Sequence, residues 1–171
     1  MPSGINAKDP KKRPSQFETY ESEQWVARPL AEVFSFFSLA SNLEILTPPW
    51  LNFHLTQMST PELGNQTLID YRLKIHGIPV KWRTRIEEWI PNQRFVDTQL
   101  RGPYRYWHHT HGFEKKSVNG IDGTLMRDRV LYLIPGGFLG KAVMGRKVRT
   151  DIQGIFAFRT QKIEELFPAQ G

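Results

Sequence analysis

Two histidines one residue apart, His109 and His111, stand in a stretch dense with aromatic side chains, YRYWHHTHGF at 104–113. In an extended chain successive side chains point to opposite faces, so both imidazoles share a face with Trp107 and Phe113. The same parity groups Asp97 and Gln99 with Phe95 in 94–101, and Asp128 and Tyr132 with Met126 and Val130 in 123–134. If these faces turn inward, the interior holds Asp97, Gln99, His109, His111, Asp128 and Tyr132. Three chemistries are open to such a group. The carboxylates and imidazoles can pair off as an internal network, since none is cheap to bury alone. They can anchor the carbonyl or hydroxyl of an apolar ligand. Or Asp128 and His109 can act as an acid–base dyad, provided burial moves their pKa values towards neutrality. His109, His111 and Asp128 also match a two-histidine, one-carboxylate metal set, but the spacing is common, and the expectation is that neither metal nor cofactor is held.

Other chemistries are not indicated. The sequence has no cysteine, which removes disulfides, thiolate nucleophiles and thiolate metal sites. It has no Gly-x-Ser-x-Gly elbow, and Gly140-Lys141 lacks the flanking residues of a phosphate loop. His54 and His76 lie apart from the cluster and are expected to matter less.

The elements that must position the cluster follow from periodicity. An initial strand runs from Phe17, and Pro29 opens a short helix carrying Leu30, Val33, Phe34 and Phe37 at helical spacing. A further turn or two covers Asn42 to Leu46 before Pro48-Pro49 stops it. From Trp50 the period becomes two, with turn residues marking strands at about 50–58, 66–76, 79–90, 94–101, 104–116 and 123–134. Turns this short require antiparallel neighbours. After Pro135-Gly136-Gly137 an apolar stripe of Val148, Ile152, Ile155, Phe156, Ile163 and Phe167 marks the longest helix. A seven-stranded sheet with one apolar face needs this helix as its cover, and a curled sheet around one helix leaves a cavity. Parity turns Tyr71 and Trp82 into that cavity, the helix stripe brings Phe156, and Trp107 joins the histidines.

At 171 residues the chain has room for one core. Residues 1–16 carry a net +3 and residues 138–167 another +3, which accounts for the whole net charge of +6. A basic tail and a basic final helix, rather than a basic sheet, do not form a nucleic-acid groove. The expected division is a disordered basic tail at 1–16, one domain at 17–167 and a short C-terminal tail at 168–171. No stretch approaches the length of a membrane span and no apolar leader is visible, so a cytoplasmic location is expected.

Three segments, LTPPWLNFHL at 46–55, RFVDTQLRGPYRYWHHTHGFE at 94–114 and DRVLYLIPGGFLG at 128–140, resemble ligand-binding members of the START-like (SRPBCC) superfamily near the polyketide cyclase/dehydrase and coenzyme Q binding families. The resemblance covers about residues 17–167. It implies an α+β helix-grip (START-like, birch-pollen-allergen-like) fold: a seven-stranded curved antiparallel sheet wrapped around a long C-terminal helix, with two short helices after strand 1. It implies carriage of an apolar molecule such as a lipid, quinone, polyketide or isoprenoid. The alternative is a cyclase or dehydratase using His109 and Asp128. Trp50 falls where helix-grip pockets usually open, although a Pro-Pro turn also explains its position.

The segment PGGFLGKAVMGRKVR at 135–149 combines glycines, exposed-type apolar residues and cations. It is expected to be a mobile gate that touches an anionic membrane surface through Phe138, Leu139, Lys141, Arg146 and Lys147.

Overall fold

A computed structural model describes residues 17–168; the expected N-terminal tail and all but the first residue of the C-terminal one lie outside them. Seven strands, β1 (Glu18–Val26), β2 (His54–Met58), β3 (Leu68–Ile75), β4 (Ile78–Ile90), β5 (Arg94–Arg101), β6 (Tyr106–Val118) and β7 (Ile121–Leu133), form one antiparallel sheet. Its order is β1-β7-β6-β5-β4-β3-β2. Strands β2 to β7 meander, and β1 returns to pair with the last of them. Helices α1 (Leu30–Phe37) and α2 (Asn42–Leu46) follow β1, and the 30-residue α3 (Gly137–Leu166) closes the chain.

Turn chemistry sets the strand limits. His76 and Gly77, with φ of 50° and 82°, join the paired residues Ile75 and Ile78; Asn119 and Gly120, at 53° and 79°, join Val118 and Ile121. Both are two-residue loops with two positive φ values, whose twist matches the strands they connect. The second lets β6 and β7 run further towards their turn than the strand limits expected from sequence. Register shifts between Leu55 and Gln57, Arg83 and Thr84, and Ile86 and Glu88 mark irregularities that bend the β2–β5 half of the sheet.

One expectation needs correction. Residues 50–53 do not belong to β2: Pro49–Leu51 is a 3-10 turn, and Asn52, at φ 43°, reverses the chain before His54. Proline at N1 favours the turn over the strand. The final helix begins directly after Pro135-Gly136, as α3 starts at Gly137, capped by the left-handed Gly136.

The core has two apolar parts. One joins α1 to the sheet and the end of α3 through Phe34, Phe37, Phe95, Phe113, Ile163 and Phe167. The other packs Ile152 and Phe156 of α3 on Val130, Tyr132 and Ile134. Between Phe156 and Ile163 the buried stripe of α3 carries Arg159, and there the sheet supplies charge instead of hydrocarbon.

Candidate ligand-binding site

A cavity of about 710 Å³ opens between α3, α2 and the concave face of β3–β6. Its wall is mostly apolar, with Leu46, Ile69, Leu73, Ile86 and Phe156 among its residues, and Leu39, Trp50 and Met144 mark where it reaches the surface. Of the residues expected from sequence to bind a ligand, Trp50, Tyr71, Trp82, Asp97, Trp107, His109, His111 and Phe156 line it.

Gln99, Asp128 and Tyr132 do not. The Gln99 side-chain amide donates to Tyr104 O at 2.6 Å and its oxygen accepts from Tyr104 N, so this residue fastens the turn before β6. Tyr132 is 2% exposed within the second apolar cluster, and Asp128 stands behind the two imidazoles. Tyr104, assigned by parity to the outer face, lines the cavity against Trp82 and Trp107. It precedes β6, so strand alternation does not govern it.

The polar floor is built by register. Asp97 on β5 faces His109 on β6, and His111 faces Asp128 on β7, bringing four titratable side chains from three strands together. His111 Nε2 lies 2.9 Å from Asp97 Oδ2 and its Nδ1 lies 3.1 Å from Asp128 Oδ1. His109 Nε2 lies 2.9 Å from the same Asp128 oxygen, and the two rings lie with centroids 3.7 Å apart at a tilt of 38°. Arg159 adds a third donor, its Nη2 3.1 Å from Asp128 Oδ1. The guanidinium lies over the Phe37 and Phe156 rings, its centre 5.1 and 5.6 Å from their centroids.

Protonation follows from these contacts. Burial disfavours charge on His111, but its hydrogen bonds to Asp128 and Asp97 outweigh burial and raise its pKa. As an imidazolium it donates from both nitrogens, so Arg159 Nη2, 3.4 Å from His111 Nδ1, serves Asp128 rather than the ring. Burial and the charge on His111 push His109 down to about 4. Asp97 is lowered despite burial by its bond to His111, and Asp128 is held well below the usual carboxylate range, despite burial, by Arg159 and both histidines. Two carboxylates, one imidazolium and one guanidinium leave the cluster neutral.

A second polar group lies beside it. Trp82 Nε1 donates to the buried Thr84 Oγ1 at 3.1 Å, and Thr84 shares a 2.7 Å hydrogen bond with the Tyr71 hydroxyl. Burial, then the Asp97 charge, raises the Tyr71 pKa well above its ordinary value.

Asp97, His109 and His111 each put one potential ligand atom within 4.8 Å of the others, so the carboxylate best placed for a metal set is Asp97 rather than Asp128. A cation there would displace a proton by which His111 holds one of the two carboxylates. Arg159 is the member that sequence reasoning missed. Its signal was legible: it occupies a stripe position with Ile152, Phe156 and Ile163 at helical spacing, where a charge needs a buried partner.

This curved sheet gripping a C-terminal helix is the helix-grip fold of START-like domains. The chain is similar to the crystal structure of Ara h 8.0201, with a TM-score of 0.60 at 15% identity, covering 87% of this chain and 99% of that one. It is likewise similar to TTHA0849 from Thermus thermophilus, with a TM-score of 0.62 at 18% identity, covering 86% and 95%. No protein-family model matches the sequence, and no curated protein matches it significantly.

Proposed function

We propose that the protein binds and carries an apolar small molecule, of the size of a lipid, quinone, polyketide or isoprenoid fragment, in the cavity beneath α3. The observation that carries this reading is the pairing of a largely apolar 710 Å³ chamber with one local polar floor at Asp97, His109 and His111, the usual composition of a small-molecule site. A neutral solvatochromic dye such as Nile red tests it. Dye fluorescence should rise to saturation at one equivalent, and Leu73→Trp, which fills the chamber, should abolish the rise without loss of the folded state; unchanged fluorescence with the parent protein would refute it.

The geometry favours carriage over acid–base catalysis. With its conjugate acid near 4, His109 is on the order of a few hundred-fold weaker as a base than an ordinary imidazole. His111 has both nitrogens committed to carboxylates.

We further propose that the ligand is exchanged at an anionic membrane surface. Phe138, Leu139 and Val143 are 79%, 74% and 82% exposed on the first turns of α3, beside exposed Arg146 and Lys147. Helix α3 has no acidic residue before Asp151, a pattern suited to lying in an anionic interface. Met144 and Lys147 also line the cavity, so the patch adjoins its rim. Lys141 is less available than its sequence position implies, because its Nζ lies 2.5 Å from Glu18, which also pairs with Arg149.

A further inference from the structure

The polar floor carries information about the ligand's head group, because its acceptors and donors are not in balance. Asp97 binds His111 through Oδ2 alone, while Oδ1 accepts no hydrogen bond from any described residue. The carboxylate lines the cavity and its side chain is 16% exposed, so the free oxygen is open to that space. Next to it, His109 gives its Nε2 proton to Asp128 at 2.9 Å. In a neutral imidazole the remaining nitrogen is an acceptor. That nitrogen, Nδ1, lies 3.6 Å from Asp97 Oδ2, so two acceptors face each other with no proton between them.

The donors of His111 are already committed, whereas Arg159, which lines the cavity, keeps one: its Nη1 has no hydrogen-bond partner among the described residues and is not enclosed. His111 gives one proton to each carboxylate, and Arg159 turns Nη2 to Asp128. Arg159 Nε has no partner but is fully enclosed, beyond reach of anything in the cavity. The Tyr71 hydroxyl can spend its proton inward if Thr84 donates to it, which the 2.7 Å contact permits.

We infer that the floor selects a hydroxyl-bearing apolar ligand, a phenol or alcohol whose O–H donates to Asp97 and His109. A hydroxyl suits all three groups, since its proton goes to the Asp97–His109 pair while its oxygen can accept from Tyr71. An ether oxygen in the same place would meet Asp97 Oδ1 and His109 Nδ1 with lone pairs alone. The lowered pKa of Asp97 agrees with this, as the group stays ionised and acceptor-only at neutral pH.

This inference rests on the proposed cavity binding and deepens it. Its test uses four probes of one skeleton, 1-naphthol, 1-methoxynaphthalene, 1-naphthaldehyde and 1-naphthoate, measured by equilibrium dialysis at pH 7. With the parent protein 1-naphthol should bind about tenfold or more tighter than 1-methoxynaphthalene, the gain expected of a hydrogen bond to a charged acceptor; 1-naphthoate reads how much Arg159 Nη1 offsets the lost donation to Asp97. Asp97→Asn keeps an acceptor for His111 and turns an N–H₂ donor to the cavity, so the preference should pass from 1-naphthol to 1-naphthaldehyde. Asp97→Leu, its folded state checked by circular dichroism, should bring 1-naphthol and 1-methoxynaphthalene within about twofold of each other, the ratio left when the hydrogen bond is lost. Equal binding of those two by the parent, or an unchanged 1-naphthol preference in Asp97→Asn, would overturn the inference while leaving the cavity reading intact. Retention of none of the four would overturn both.

Discussion

Arg159 of α3 reaches within 3.1 Å of Asp128 on β7 and ties the C-terminal half of the gripping helix to the sheet. Removing one partner of a buried ion pair strands the other's charge, so Arg159→Met should cost about 3–5 kcal/mol of stability in urea unfolding. Asp128→Asn should cost a comparable amount. The double variant should cost clearly less than the two singles added, because each single already breaks the same contact. Strict additivity would mean that the two residues do not interact.

Stability should peak near neutrality and fall on both sides for different reasons. His109, lowered from 6.5 to about 4, stays neutral in the fold while the unfolded chain takes up a proton. Stability is therefore lost as pH falls between these values, by up to about 3 kcal/mol, and further below pH 4 as Asp97 and Asp128 are protonated. His111 has the opposite sign. Its raised pKa contributes stability that is fully present below 6.5 and is lost as pH rises through the folded value. Urea midpoints across pH 4–9 should show both limbs, with His109→Gln flattening the acid limb and His111→Gln the alkaline one. If His111→Gln leaves the alkaline limb unchanged, His111 is not the imidazolium.

Thr84 is a small residue on which two large ones depend. Thr84→Val preserves shape but leaves Trp82 Nε1 and the Tyr71 hydroxyl without their partner, which should cost about 1–3 kcal/mol. Tyr71→Phe, which removes only one side of the arrangement, should cost less. The reverse order in thermal or urea unfolding would show that Thr84 is not the hub.

Binding to vesicles containing phosphatidylserine, but not to phosphatidylcholine alone, should accompany the exposed first turns of α3. Each basic residue at the surface contributes about 1 kcal/mol, so Arg146→Gln with Lys147→Gln should weaken co-sedimentation strongly. Phe138→Ser with Leu139→Ser should weaken it in a salt-independent way. Sedimentation equal to that of the parent in both double variants would exclude the membrane contact.

The elements were legible in sequence because they rest on local signals. Alternation placed Ile69, Tyr71 and Leu73 inside β3 and Trp82, Thr84 and Ile86 inside β4, and turn residues from Asn119 to Gly123 marked the break between β6 and β7, though not its two-residue hairpin at Asn119-Gly120. The histidine pair and its two aspartates were found the same way. What parity could not supply was anything outside a strand or across the sheet. Tyr104 turns inward from a bend, and Gln99 is drawn away by the backbone of that bend. Asp97 and Asp128 divide the histidines between them according to a register that no single strand reveals. Arg159 was hidden for another reason, because the apolar stripe was read by its apolar members and the charged residue within it passed as surface.

Whether the chamber beneath α3 is a binding site is tested most directly by native mass spectrometry of the freshly purified protein. The spectrum should show a bound apolar mass that organic extraction removes, and the extracted protein should regain a one-to-one adduct with 1-naphthol that Leu73→Trp cannot form. A parent protein that carries no such mass, and takes up neither 1-naphthol nor a neutral apolar dye after extraction, would contradict it.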